Sequence, residues 1–216
     1  MLTERQAEIL TAIVDEYIQS AFPVSSGAIF DTGKFDVSCP TIRNEMSHLT
    51  EEGYLHQPHT SAGRVPTEQG YRFFVDMLLK GRHADNKVWQ GSRRTKEVKF
   101  LVREIAANSS DLVLFVDQNG ELRYEGLKKV LTKPEFEDKE AVISLIDELE
   151  NLTISYETMM TEFENEIEVF VGSENPFFKN VEYSLMALGL GNGFIGIVGP
   201  MRMHYERNMR LLDTLL

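Results

Sequence analysis

Apolar residues recur at Ile9, Leu10, Ile13, Val14, Tyr17 and Ile18, which makes one stripe along a helix. The spacing predicts a helix over residues 4–20. Thr3 with Gln6 three positions later has the capping-box pattern, and Phe22-Pro23 breaks the run. Ser25 caps a short second helix that carries Ile29 and Phe30 and stops at Thr32-Gly33. Ser38 caps a third, with Pro40 in the first turn, where a missing N–H costs nothing. Around this helix, at about 100° per residue, Ile42, Met46 and Leu49 share one face. Asn44, Ser47, Pro40, Thr41 and His48 fall opposite, with Arg43 on the flank. Gly53 ends it. "YLHQP" and "RVP" then pair as a small hairpin around "HTSAG". Thr67 caps a fourth helix whose buried side holds Tyr71, Phe74, Val75, Leu78 and Leu79.

Residues 81–92 are polar, include Gly81 and Gly91, and read as a linker. Residues 93–107 read as a basic helix. From Leu112 the pattern changes. "LVLFVD" and "ELRYEG" are two strands joined by a turn holding Asn119-Gly120, a short-range hairpin signal. Residues 138–165 read as helix in two pieces. "IEVFVG", "EYSLMALGLG" and "FIGIVGP" read as three more strands, and "HYERNMRLLDTLL" as a terminal helix. The order β-β-α-α-β-β-β-α predicts an α+β fold: a mostly antiparallel sheet with helices on one face.

Charge complicates any nucleic-acid reading. The 216-residue chain carries a net charge of -12, which repels a polyanion. Its distribution matters more than its sum. Residues 1–80 hold six Lys or Arg against eleven Asp or Glu, residues 81–103 seven against two, and residues 104–216 nine against twenty-one. DNA contact must therefore come from a few well-placed residues and the middle segment. No apolar run approaches the roughly 20 residues that span a bilayer, so no membrane association is expected. The first ten residues lack the pattern of a signal peptide. With the single cysteine, Cys39, these features predict a cytoplasmic protein.

Two short helices followed by a hairpin have the order of a winged helix-turn-helix. In that arrangement the second helix of the pair enters the major groove and its early residues reach base edges. Asn pairs bidentately with adenine and Arg with guanine. Thr41, Arg43, Asn44, Ser47 and His48 are the expected reading face, and the free N–H groups near Ser38 can hold a phosphate. The hairpin places His59, Thr60, Ser61 and, at its tip, Arg64 where a wing would lie over the neighbouring groove. The structural alternative is a packing unit in which Arg43 pairs with Asp36 or Glu45, and winged helices also serve as protein-docking modules.

Other signals are weak. Cys39, His48, His56 and His59 lack the spacing of a structural zinc site, so no metal is expected. Cys39 has no basic neighbour to make it reactive. "GLGNGFIGIVG" matches no phosphate-binding loop and precedes a strand. No nucleophile, base and orienting group come together, so neither catalysis nor a cofactor is expected.

"TIRNEM", "QPHTSAGR", "GYRFFVD", "VFVGSENPF" and "GFIGIVGPMRMHYER" together closely resemble the bacterial heat-inducible transcription repressor family, HrcA. The resemblance is dense over residues 1–80 and resumes over about 166–216. It implies a winged helix followed by a GAF-like domain with an inserted dimerising domain. It implies repression of chaperone genes by homodimers bound to an inverted-repeat operator in double-stranded DNA, and the chaperonin GroEL as the partner that keeps the repressor active. This chain is far shorter than the usual member, and the missing length falls in the middle, where the inserted domain is expected to be absent or reduced. The expected domains are residues 1–80 for DNA binding, 81–108 for the linker and basic helix, and 109–216 for the GAF-like regulatory and assembly domain. Two other readings stay open: a regulator that senses a small molecule through the GAF-like domain, and a winged-helix module that binds protein.

Overall fold

The computed structural model describes residues 2–85, 98–152, 166–191 and 193–216. They form two compact units, Met1–Ala84 and Asp85–Leu216.

In the first unit, α1 runs Glu4–Ser20. Thr3 and Gln6 close the capping box, with the Gln6 N–H donating to Thr3 Oγ1 at 3.3 Å and the Thr3 N–H to Gln6 Oε1 at 3.0 Å. The helix ends where Ala21 turns left-handed at φ 58°. Helix α2, Ser26–Asp31, is capped by Ser25, and α3, Cys39–Glu51, by Ser38. Gly53, at φ +83°, turns the chain out of α3, a conformation glycine adopts without strain. The hairpin is shorter than its sequence suggests: β1 is Leu55–His56 and β2 is Val65–Pro66, paired antiparallel. Helix α4 runs Glu68–Asp85, past Gly81 and into the stretch read as a linker. The rest of that stretch, and residues 93–97, lie outside the described residues. Ile9, Leu10, Ile13, Val14, Ile29, Ile42, Leu49 and Val75 are fully buried, each adding about 1.5–3 kcal/mol of apolar burial.

In the second unit, α5 (Val98–Asn108) leads into the hairpin of β3 (Leu112–Asp117) and β4 (Leu122–Glu125). The Asp117 carboxylate accepts the N–H groups of Asn119 and Glu121, and Gly120 takes φ +80°. These turn bonds hold the Asp117 carboxyl below its ordinary pKa, the bond from Glu121 most of all. A short α6 (Leu127–Val130), a 3-10 turn (Pro134–Phe136) and α7 (Lys139–Glu150) follow. The second piece of the expected 138–165 helix falls outside the described residues beyond 152. Strand β5 (Ile167–Phe170), a 3-10 turn (Gly172–Glu174), β6 (Tyr183–Leu190), β7 (Gly193–Pro200) and α8 (Tyr205–Asp213) complete the unit. The sheet order is β4-β3-β7-β6-β5, antiparallel throughout.

The expectation of helices on one face is corrected. Leu112, Leu114, Val116, Leu185, Phe194 and Val198 pack with Val130, Phe136, Leu145 and Leu149 of the segment 127–150. The alternate positions, Val113, Phe115, Met186, Leu188, Ile195 and Ile197, are buried too. That second face is covered by α5 against β3 and α8 against β5 and β6. The Tyr205 hydroxyl at the start of α8 lies 2.9 Å from Ser184 Oγ, whose position also belongs to the second face. Strands covered on both sides read as unbroken apolar runs instead of alternating ones. Among the described residues no helix is long and apolar enough to cross a membrane.

Candidate nucleic-acid interface

Helix α3 is held by its apolar side and leaves a polar side outward. Ile42, Met46 and Leu49 are buried, while Arg43, Asn44 and His48 are exposed and Thr41 and Ser47 half-buried. At its start the Thr41 N–H donates to Ser38 Oγ at 3.3 Å, and the Ser38 and Thr41 hydroxyls lie 2.9 Å apart. The Ser47 hydroxyl turns back to the Arg43 carbonyl at 3.1 Å. His48 Nδ1 lies 3.6 Å from Glu51 Oε2, an ion pair only when the imidazole is protonated.

Arg43 does not pair with Asp36 or Glu45. Glu45 is buried and committed elsewhere: Oε1 accepts from Arg5 Nε at 2.9 Å and Oε2 from Gln6 Nε2 at 3.1 Å. Gln6 thus caps α1 with its carbonyl and holds α3 with its amide. Sequence reasoning missed this clamp, because its partners stand 39 and 40 residues apart and carry no local pattern. Among the described residues, Arg43 and Asn44 make no side-chain hydrogen bond or ion pair.

The hairpin loop owes its shape to residues that sequence reasoning passed over. Gln57 Nε2 donates to the carbonyls of Thr60 and Ala62, both at 2.9 Å, and the Ala62 N–H bonds to His59 O at 2.8 Å. His59, Thr60 and Ser61 stand exposed at the tip. Arg64 does not, and this corrects the sequence reading. It lies half-buried at the root of the hairpin loop, directly before β2, its backbone exchanging two 2.8 Å bonds with Val24. Its Nε donates to Thr50 Oγ1 of α3 at 3.0 Å. Gly63 allows this approach, since a Cβ there would sit 2.3 Å from Val24 O. Thr67 caps α4 through the Gly70 N–H at 3.2 Å and donates to Gly53 O at 2.6 Å, tying the end of α3 to the start of α4.

Two guanidinium groups lie beside this face: Arg43, exposed, and Arg64, held to Thr50 between α3 and the hairpin. Cys39, at the first position of α3, has its thiol 3.5 Å from Ser26 Oγ.

The family description "HrcA protein C terminal domain" matches residues 77–209. The "Heat-inducible transcription repressor HrcA" of Brevibacillus brevis is 60% identical over 80 residues, 37% of this chain and 24% of that protein. The protein of the same description from Halalkalibacterium halodurans is 42% identical over 123 residues, 54% of this chain and 35% of that protein. The chain thus spans about a quarter to a third of the relatives it matches. A crystal structure described as that of a hypothetical protein superposes with a TM-score of 0.82 at 19% identity, covering 100% of this chain and 96% of that one. At that identity the likeness shows the fold alone.

Proposed function

The chain belongs to the HrcA family, and from that premise we propose that it is a DNA-binding repressor of heat-shock chaperone genes. Residues 1–80 act as a winged helix-turn-helix. Helix α3 enters the major groove with Thr41, Arg43, Asn44, Ser47 and His48 toward the bases. Ser38 and the N–H groups beside it meet a phosphate, and His59, Thr60 and Ser61 lie over the adjacent minor groove. Residues 81–108 connect to a GAF-like domain over 109–216, which serves regulation and assembly. The protein binds an inverted-repeat operator as a homodimer in the cytoplasm and blocks the promoter sterically. The chaperonin GroEL sustains its active form. No catalytic step belongs to this mechanism.

One observation carries the reading. Arg43 and Asn44 stand exposed on a helix whose neighbouring acid, Glu45, is buried and already neutralised by Arg5. Two side chains that read guanine and adenine are thus presented together and uncommitted. A mobility-shift assay with chaperone promoters of the same genome tests it. A shift that survives non-specific competitor is expected. Equal binding to promoter and unrelated DNA would overturn the reading.

A further inference from the structure

Arg64 is the one arginine or lysine of the hairpin, and its position assigns it a different task from the one its place in the motif suggests. Its backbone is locked to Val24 and its Nε to Thr50. The Thr50 hydroxyl donates to Met46 O at 2.8 Å, so its single proton is spent and its lone pair is left for the Arg64 Nε–H. The guanidinium plane is therefore fixed. Among the described residues the two Nη nitrogens have no partner, leaving four N–H donors of a rigid fork pre-oriented. Thr50 follows Arg43 by seven residues, two turns of α3, and lies on the flank where the outward polar face gives way to the buried one. Thr50, which holds the Arg64 Nε, thus lies about 10 Å beyond Arg43 along the axis at 1.5 Å per residue.

A helix with its side chains is about 10–12 Å across and the major groove about 12 Å wide, so a seated helix meets the groove walls with its flanks. The walls are phosphate backbone. A side chain that enters the minor groove must instead extend freely from the hairpin tip, and Arg64 is at the root of the loop and held. Resting on the DNA-binding reading above, we propose that Arg64 is a phosphate anchor at the seam between reading helix and hairpin, oriented by Thr50, and reads no base. A planar, fixed fork suits bidentate contact with phosphodiester oxygens.

Binding is measured by fluorescence anisotropy over a salt series, on a duplex carrying a chaperone-promoter inverted repeat and on a scrambled duplex of equal length. Arg64→Ala should weaken both by the same factor, about tenfold or more. It should also make the log-log salt slope shallower by about 0.9 per protomer. Thr50→Val keeps the charge and frees the plane, so it should weaken both duplexes while the slope stays that of wild type. A loss confined to the inverted-repeat duplex would make Arg64 a base reader and overturn the proposal. So would an unchanged affinity and slope with only a lower melting temperature, the mark of a strut. Should Arg64→Ala fail to fold, Thr50→Val decides: unchanged affinity for both duplexes overturns the anchor. Wild-type protein that binds neither duplex fails the DNA-binding reading itself, a result visible before any variant is made.

Discussion

Asn44 and Glu45 are neighbours with opposite fates. Asn44 is exposed at the centre of the outward face of α3, and Glu45 is buried under Arg5 and Gln6. One step of about 100° separates a side chain that meets a partner from one that fixes the helix. Asn44→Ala is expected to cost about 1–3 kcal/mol of operator binding and to relax preference at one base pair. Selection from a randomised operator library checks this, and an unchanged consensus would remove Asn44 from the reading set. A second residue-scale prediction concerns His204. Burial lowers its pKa first of all; Asp111 opposes this, and Lys133, Arg207 and Arg202 add to the lowering. The unfolded imidazole has its ordinary pKa near 6.5. Below about pH 6.5 the unfolded chain therefore binds the proton more readily than the folded one, and stability is lost as pH falls. Melting of the second unit is expected at lower temperature at pH 5.5 than at pH 7.5. In His204→Gln that difference should shrink; an equal pH dependence in both proteins would refute the assignment.

At the scale of elements, what was legible was what is local. Thr3, Ser25 and Ser38 each bond to an N–H three residues on, so a short window of sequence contains the whole interaction. The Asp117–Gly120 turn is legible for the same reason. The hairpin is different. Its arch depends on Gln57 reaching across its own loop, and the root of that loop on Arg64 meeting Thr50, fourteen residues earlier. No periodicity encodes such a contact, so Arg64 reads as a tip residue when it sits at the root of the loop. The strands were legible in their succession along the chain, but not their order in the sheet or its layering. "LVLFVD" shows that β3 is buried without saying that α5 covers one side and the 127–150 segment the other. Gly70 tests how tightly the elements of the first unit fit. A Cβ there would lie 2.3 Å from Tyr54 O, a backbone atom with no room to yield. Gly70→Ala should destabilise the first unit by about 1–3 kcal/mol, the usual scale of overpacking. A thermal melt unchanged from wild type would mean that α4 shifts freely.

For the molecule as a whole, the proposed operator sets the requirement. An inverted repeat presents half-sites about 34–36 Å apart or a multiple of it, so two copies of α3 must be related by a two-fold axis. Two segments offer a surface for that pairing on sequence grounds: the helix around residues 93–107, and the terminal segment with Met203, Met209, Leu211, Leu212, Leu215 and Leu216, residues equally suited to covering the sheet. Met203, Met209 and Leu212 are instead buried within the second unit, where α8 covers the sheet, and only Leu211, Leu215 and Leu216 keep partial exposure. The stripe that α8 turns inward is therefore spent on the fold, and the dimer contact must come from other residues. Leu212→Lys separates these roles. A lysine at a position with no solvent exposure would bury an unpaired charge, which costs several kcal/mol or opens the core. Loss of the cooperative melt of the second unit is expected, not a folded monomer. A folded, monomeric Leu212→Lys protein would return the interface to α8 and contradict this packing argument. The dimer itself is checked by light scattering on wild type: a mass of about twice the 24.7 kDa chain is expected, and a mass near 24.7 kDa both free and on operator DNA would eliminate two-fold recognition.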